Sequence, residues 1–139
     1  RSTRITKYAD AIKYYKKCLA IREKVLGTKH EITATTYNNI GAIYKNQGKY
    51  ADALEYYKKC LAIYENVLCS EHESTATTYN NIGTVYFNQG NYANAIECYK
   101  KCLVIRIKVL GSNHELIDQS YSNIAYSYEC QESRSRGRL

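Results

Sequence analysis

The sequence predicts an all-α protein of about six helices, arranged as antiparallel helix hairpins stacked into a solenoid. Three observations carry that expectation. The chain repeats every 42 residues, each repeat has helical periodicity, and helix-boundary signals recur at one phase. Tyr8 to Lys49 begins YADAIKYYKKCLAIREKVLG, Tyr50 to Asn91 begins YADALEYYKKCLAIYENVLC, and Tyr92 onward begins YANAIECYKKCLVIRIKVLG. The first two blocks agree at about 30 of 42 positions and the last two at about 20. Agreement is weakest after Glu115, where ATTYNNIG becomes DQSYSNIA. A terminal repeat is expected to depart in this way, because one of its faces meets water.

The elements follow in order, with helices expected near 6–26, 29–47, 49–68, 71–89, 91–110 and 113–130. Ala34, Tyr37, Ile40, Gly41 and Tyr44 make one apolar stripe at 3.6-residue spacing. Ala53, Tyr57, Cys60, Leu61, Val67 and Leu68 make a second stripe beyond the Gly48 break. Gly27 and Gly111 after Val-Leu, and Gly48 and Gly90 after Asn-Gln, suit the left-handed position that ends a helix. Thr28, Ser70 and Ser112 each stand three residues before a glutamate (Glu31, Glu73, Glu115), the spacing of a capping box. Short loops place successive helices antiparallel. Ala11, Ala53 and Ala95 on one helix type, and Gly41, Gly83 and Ala125 on the other, mark where backbones approach closely.

The chain opens on a second-type helix and closes on a first-type helix. Two complete hairpins (29–68 and 71–110) are therefore flanked by half repeats at 6–26 and 113–130. We expect one repeat domain over 1–132 and a basic flexible tail over 133–139. The seven residues before the first block, the six after the third and the absent Met are what a segment cut from a longer array would show.

Composition excludes several classes. With 139 residues, no Pro and only 7 Gly, the chain is neither collagen-like nor a Gly/Pro-rich linker. At 45% apolar and 24% charged residues it reads as globular, and no run reaches the ~18–20 apolar residues of a membrane helix. No signal-peptide pattern stands in the sequence. The net charge of +7 is concentrated at the ends: residues 1–26 carry +6, 27–128 carry zero and 129–139 carry +1. A phosphate-tracking protein needs a continuous basic face, so this distribution argues against nucleic acid as the partner.

These residues resemble the tetratricopeptide repeat. The pattern is matched by Tyr37, Ile40-Gly41, Tyr44, Ala53, Tyr57 and Cys60, and again from Tyr79 through Cys102. The long 42-residue form is similar to the repeats of kinesin light chains, with Glu31, Glu73 and Glu115 in place of Pro and Ala125 in place of Gly. The resemblance implies a right-handed superhelix and a non-enzymatic scaffold whose first-type helices line a concave, peptide-binding groove. It assigns Asn39, Asn81 and Asn123 to that groove, with Asn38 and Asn80 beside the first two and Ser122 beside the third.

A physical argument stands beside it. An Asn amide both donates and accepts, so a ladder of them can hold an extended backbone. In the alternative, each Asn bonds a neighbouring helix. Further groove candidates are Lys45, Asn46, Phe87 and Asn88. Phe87, the only Phe, replaces Lys45 of the preceding repeat at a position expected to be exposed, as an apolar anchor would be.

Other chemistry finds little support. Cys18, Cys60 and Cys102 recur at a buried small-residue position, no CxxC occurs, and Cys69 with His72 is a lone pair that the other repeats lack. Six scattered cysteines fit a reducing, cytoplasmic setting better than a disulfide framework. His30, His72 and His114 stand one per repeat, in the loop before a helix. Twelve of the 16 Tyr fall at four repeat phases, which marks them as packing residues. No catalytic motif, metal set or cofactor loop is present, so no enzyme activity, metal or cofactor is expected. The expected partner is a protein or peptide. The alternative is a structural spacer that self-associates through exposed end helices.

Overall fold

Alternating apolar stripes and glycine breaks produce six helices in the computed structural model, which describes residues 2–68 and 71–137. They are α1 (Ser2–Leu26), α2 (Glu31–Asn46), α3 (Tyr50–Val67), α4 (Glu73–Asn88), α5 (Tyr92–Leu110) and α6 (Glu115–Ser135). No strand occurs among the described residues. None of the helices among them is long and apolar enough to cross a membrane. Arg1, Cys69, Ser70, Arg138 and Leu139, and with them the Cys69–His72 pair and the middle capping box, lie outside the described residues.

The chain divides into two compact units, Arg1–Cys69 and Ser70–Leu139, each of three helices. In the first unit α2 packs on both α1 and α3; in the second, α5 packs on both α4 and α6. Ala34, Tyr37, Cys60, Ile63 and Tyr64 form the core of the first unit, with Leu19, Tyr56 and Leu68 against it. Ala76, Cys102 and Ile105 do the same in the second, beside Tyr79. Burying each large apolar side chain contributes about 1.5–3 kcal/mol relative to leaving it exposed. The hairpins close over glycine. A Cβ built on Gly41 would stand 2.9 Å from the Tyr57 ring, and one on Gly83 would stand 2.9 Å from the Tyr99 ring.

Both intra-hairpin turns are Schellman motifs. Gly48, at φ 77°, donates to Lys45 O while the Lys49 N–H reaches Tyr44 O. Gly90, at φ 79°, donates to Phe87 O while the Asn91 N–H reaches Tyr86 O. The helix ends at Gly48 and Gly90 were therefore placed correctly from sequence, whereas Gly111 is itself the cap of α5, at φ 80° and ψ 170°.

The helix starts were not. Thr28 and Ser112 do not cap α2 and α6; the caps are His30, His72 and His114. Each imidazole Nδ1 accepts a backbone N–H, from Ile32 (3.1 Å), Ser74 (3.0 Å) and Leu116 (3.1 Å). The glutamate follows its cap directly and sits in the first turn, where a negative charge suits the helix dipole. Thr33 completes the joint in the first unit by donating its hydroxyl to Gly27 O at 3.0 Å. At the other end α6 runs to Ser135, five residues past the expected stop. Arg134 holds that extension by donating to Gly90 O.

Removing the acceptor in His72→Ala should cost about 1 kcal/mol of unfolding free energy, the usual value of a lost N-cap. His72→Asn, which restores a short acceptor, should recover most of it. Urea denaturation of the two variants checks this assignment, and equal stability would contradict it.

Candidate functional site

The first-type helices α2, α4 and α6 carry the residues singled out in the sequence. On α2, Asn38, Asn39 and Lys45 are half-buried and Asn46 is exposed. Asn46 lines a cleft of about 450 Å³ with Arg4, Ile5, Tyr8, Gln47 and Lys49, where the first turns of α1 meet the end of α2. Thr35 stands beside the asparagines and shares a hydrogen bond with the Tyr64 hydroxyl at 3.2 Å.

In the second unit α4 contributes half-buried Asn80, Asn81 and Phe87 and exposed Asn88, and α6 contributes half-buried Asn123. Asn123 Nδ2 donates to Asn80 Oδ1 at 3.2 Å. This bond joins two first-type helices through side-chain amides, and the amides it pairs come from different phases of the repeat. Thr84, one turn past Asn80, accepts or donates at 3.0 Å with the Tyr99 hydroxyl, tying the α4 face to α5.

Phe87 departs from expectation. Instead of standing exposed it lies between two rings, 5.1 Å from Tyr92 in an edge arrangement and 5.4 Å from Tyr126 in a stacked one. The Arg134 guanidinium covers the far ring, 4.8 Å from the Tyr92 centroid. The reason is local. Replacement of Lys45 by an aromatic and of Ala42 by Tyr126, at the matching phases, creates a cluster that ordinary aromatic packing holds together.

Buried arginine is the feature that sequence reasoning missed. Arg106 on α5 is 3% exposed. It donates to Ser120 Oγ at 3.1 Å and Gln119 Oε1 at 3.2 Å, and its Nε lies 3.5 Å from a Glu73 carboxylate oxygen. Arg22, two repeats earlier, makes the matching bond to Thr36 at 2.5 Å. The recurrence of arginine at one phase was the available signal, but Tyr64 interrupts it in the middle repeat.

The cysteines and histidines have structural work. Cys18, Cys60, Cys98, Cys102 and Cys130 are not in disulfides, and burial pushes the Cys102 thiol up, against the lowering effect of Arg106. A buried thiol held protonated is a packing group, not a nucleophile. Among the described residues no three His, Cys, Asp or Glu side chains converge.

Two tetratricopeptide repeat models match this sequence, one over residues 3–66 and the other over residues 75–116. The chain belongs to the tetratricopeptide repeat family. No curated protein sequence matches it. Among solved structures it is similar to BtubC (BKLC) from P. vanneervenii, with TM-score 0.84 and 22% identity over 91% of this chain and 51% of that one. It is also similar to kinesin light chain repeats from Podosopora anserina, with TM-score 0.77 and 23% identity over 94% of this chain and 62% of that one. The Sgt2 tetratricopeptide repeat domain from Aspergillus fumigatus matches over 99% of this chain and 77% of its own, at 19% identity and TM-score 0.65. At these identities the likeness shows the fold. The chain spans about half of the first of these solved chains and about three-fifths of the second.

Packing tyrosines give this repeat unit an alkaline limit. Burial and a 2.6 Å hydrogen bond donated to Glu23 push the Tyr37 phenol up to about 12, and burial, with a smaller contribution from Cys60, takes Tyr57 to about 12. An unfolded phenol ionises near 10, so the folded state retains protons that the unfolded state releases. Stability should be full below pH ~10 and should fall as pH rises from about 10 to about 12. Urea midpoints across that window test the assignment, and Tyr37→Phe should make the fall shallower.

Proposed function

We propose that the chain is a non-enzymatic protein-interaction scaffold that grips an extended peptide by side-chain amides on its first-type helices. Tetratricopeptide repeats mediate protein–protein interaction, which supplies the class. The amides are Asn38 and Asn39 on α2 in the first unit, and Asn80, Asn81 and Asn123 on α4 and α6 in the second.

The Asn123–Asn80 bond is the neighbouring-helix contact of the alternative reading, and it supports the groove through the groups it leaves over. It fixes the planes of two amides, and it uses one donor of Asn123 and one lone pair of Asn80. An amide has two donors and two acceptor sites, so a donor on Asn80 and an acceptor on Asn123 remain to meet a ligand. An extended backbone presents alternating C=O and N–H groups, and paired amides of this kind hold it without reading its side chains. Preorganisation lowers the entropy that binding must otherwise overcome. Selectivity then falls to Lys45, Asn46, Phe87 and Asn88 near the ends of α2 and α4. Phe87 with Tyr126 offers an aromatic wall, and Lys45 offers a cation.

A peptide selected from a random library against the intact chain should bind Asn81→Ala/Asn123→Ala about tenfold more weakly. This follows from ~0.5–1.5 kcal/mol for each hydrogen bond to the backbone. Circular dichroism should show unchanged helix content. Undiminished affinity in that variant would remove the amides from the binding face.

A further inference from the structure

The first unit holds a second cavity, of about 290 Å³, which Asn38, Asn39 and Asn46 do not line. It lies where the loop between α1 and α2 meets the last turns of α3. Tyr37, Ala62 and Ile63 supply its apolar lining, and Thr28, Lys29, Lys59 and Asn66 its polar one. The apolar side is fixed. Tyr37 and Ile63 belong to the core at 7% and 6% exposure, and the Tyr37 ring is held by its bond to Glu23 and by Tyr56 at 6.0 Å.

The second unit shows what closes this place. At the matching phases Glu71 stands for Lys29, Val104 for Ala62 and Lys108 for Asn66. Lys108 Nζ lies 2.8 Å from Glu71 Oε1, so an ion pair straps the loop before α4 to the end of α5. The first unit cannot form that strap. Its loop carries the ammonium and its helix a neutral amide, and no ion pair reaches Lys29 among the described residues. Ala62 also lacks the two methyl groups that Val104 brings. The group that would complete this site is a carboxylate.

We propose that the cavity receives one glutamate side chain of a protein partner, with its carboxylate between Lys29 and Asn66 and its methylenes on Tyr37, Ala62 and Ile63.

Charge selects the acid. Lys29 is unopposed, and Lys59, 5.7 Å from the Tyr37 ring centroid and 3.7 Å from Glu55, adds a second ammonium. Both lysines are exposed, so their attraction is screened and specificity falls to shape. Pockets for whole small-molecule ligands span ~300–1,000 Å³, and this cavity lies just below that range, the scale of a single side chain. The apolar lining selects a group with a methylene stem, which a bare phosphate lacks. None of these residues belongs to the amide face, so the pocket stands or falls apart from the groove.

The experiment is a heteronuclear NMR titration of the 139-residue chain with N-acetylglutamate N-methylamide and with the matching glutamine derivative. The glutamate derivative should give saturable shifts at the amides of Thr28, Lys29, Ala62 and Asn66, while those of Glu71, Val104 and Lys108 stay still. The glutamine derivative should bind about fivefold more weakly, the worth of one exposed ion pair near 1 kcal/mol. Lys29→Glu/Asn66→Lys installs the strap of the second unit and should abolish the first-unit shifts. Glu71→Lys/Val104→Ala/Lys108→Asn makes the converse exchange and should bring equivalent shifts to the second unit. All five substitutions fall on exposed positions, and circular dichroism verifies that each variant is folded. Equal binding of the glutamine derivative, shifts that persist in the strapped variant, or no saturable shift in the wild type would each overturn the proposal. So would inorganic phosphate bound as tightly as the glutamate derivative, since it makes no use of the apolar lining.

Discussion

A tyrosine ring resting on helix backbone where no Cβ intervenes is the contact on which each unit depends. Tyr57 meets Gly41 and Tyr99 meets Gly83, both at distances that leave no room for a methyl group. Because the helices approach so closely there, the small residues Ala53 and Ala95 on the opposite helix become fully buried, as do Cys60 and Cys102 further along. Overpacking at such a point separates the helices and exposes the apolar side chains on both sides. The Schellman turns at Gly48 and Gly90 then only have to reverse the chain between elements whose contact is already specified.

That constraint also explains what the flanking helices look like. Ala11 is half-buried and Ala125 exposed, at phases where the complete hairpins bury their small residues. Larger and polar residues take the small-residue phases on α6. Asp118 stands where Ala34 and Ala76 lie wholly buried, and Tyr126 stands where Ala42 does in the first repeat. The basic surplus of α1 and the acidic surplus of α6 belong to the same pattern. Charge is found where packing is not already decided.

Helix number, register and core were legible in the sequence because the repeat presents the same apolar phases three times. Positions such as Tyr37, Ile40 and Tyr57 could be placed from spacing alone. What escaped was short-range geometry. The Thr28–Glu31 and Ser112–Glu115 spacings suggested capping boxes, but an imidazole one residue before each glutamate reaches the second helical N–H first. Asparagines aligned by phase suggested a ladder of like with like. The bond that forms joins Asn80 to Asn123, residues that stand at different phases of the repeat. Phe87 was expected to be exposed because Lys45 precedes it by one repeat. Its burial depends on Tyr126 and on an α6 end held by Arg134, and both are properties of the last repeat only.

The claim that the glycine–tyrosine approach sets the hairpin geometry is tested most directly by a double-mutant cycle on Gly83 and Tyr99, read from urea-unfolding free energies. Alanine favours a helix over glycine by about 1 kcal/mol. In the Tyr99→Leu background, where the ring is gone, Gly83→Ala should therefore stabilise the chain. With Tyr99 present, the same substitution should destabilise it by ~1–3 kcal/mol, since the ring must move. A Gly83→Ala change that is equally stabilising in both backgrounds would show that the ring does not rest on that backbone, and would contradict the account.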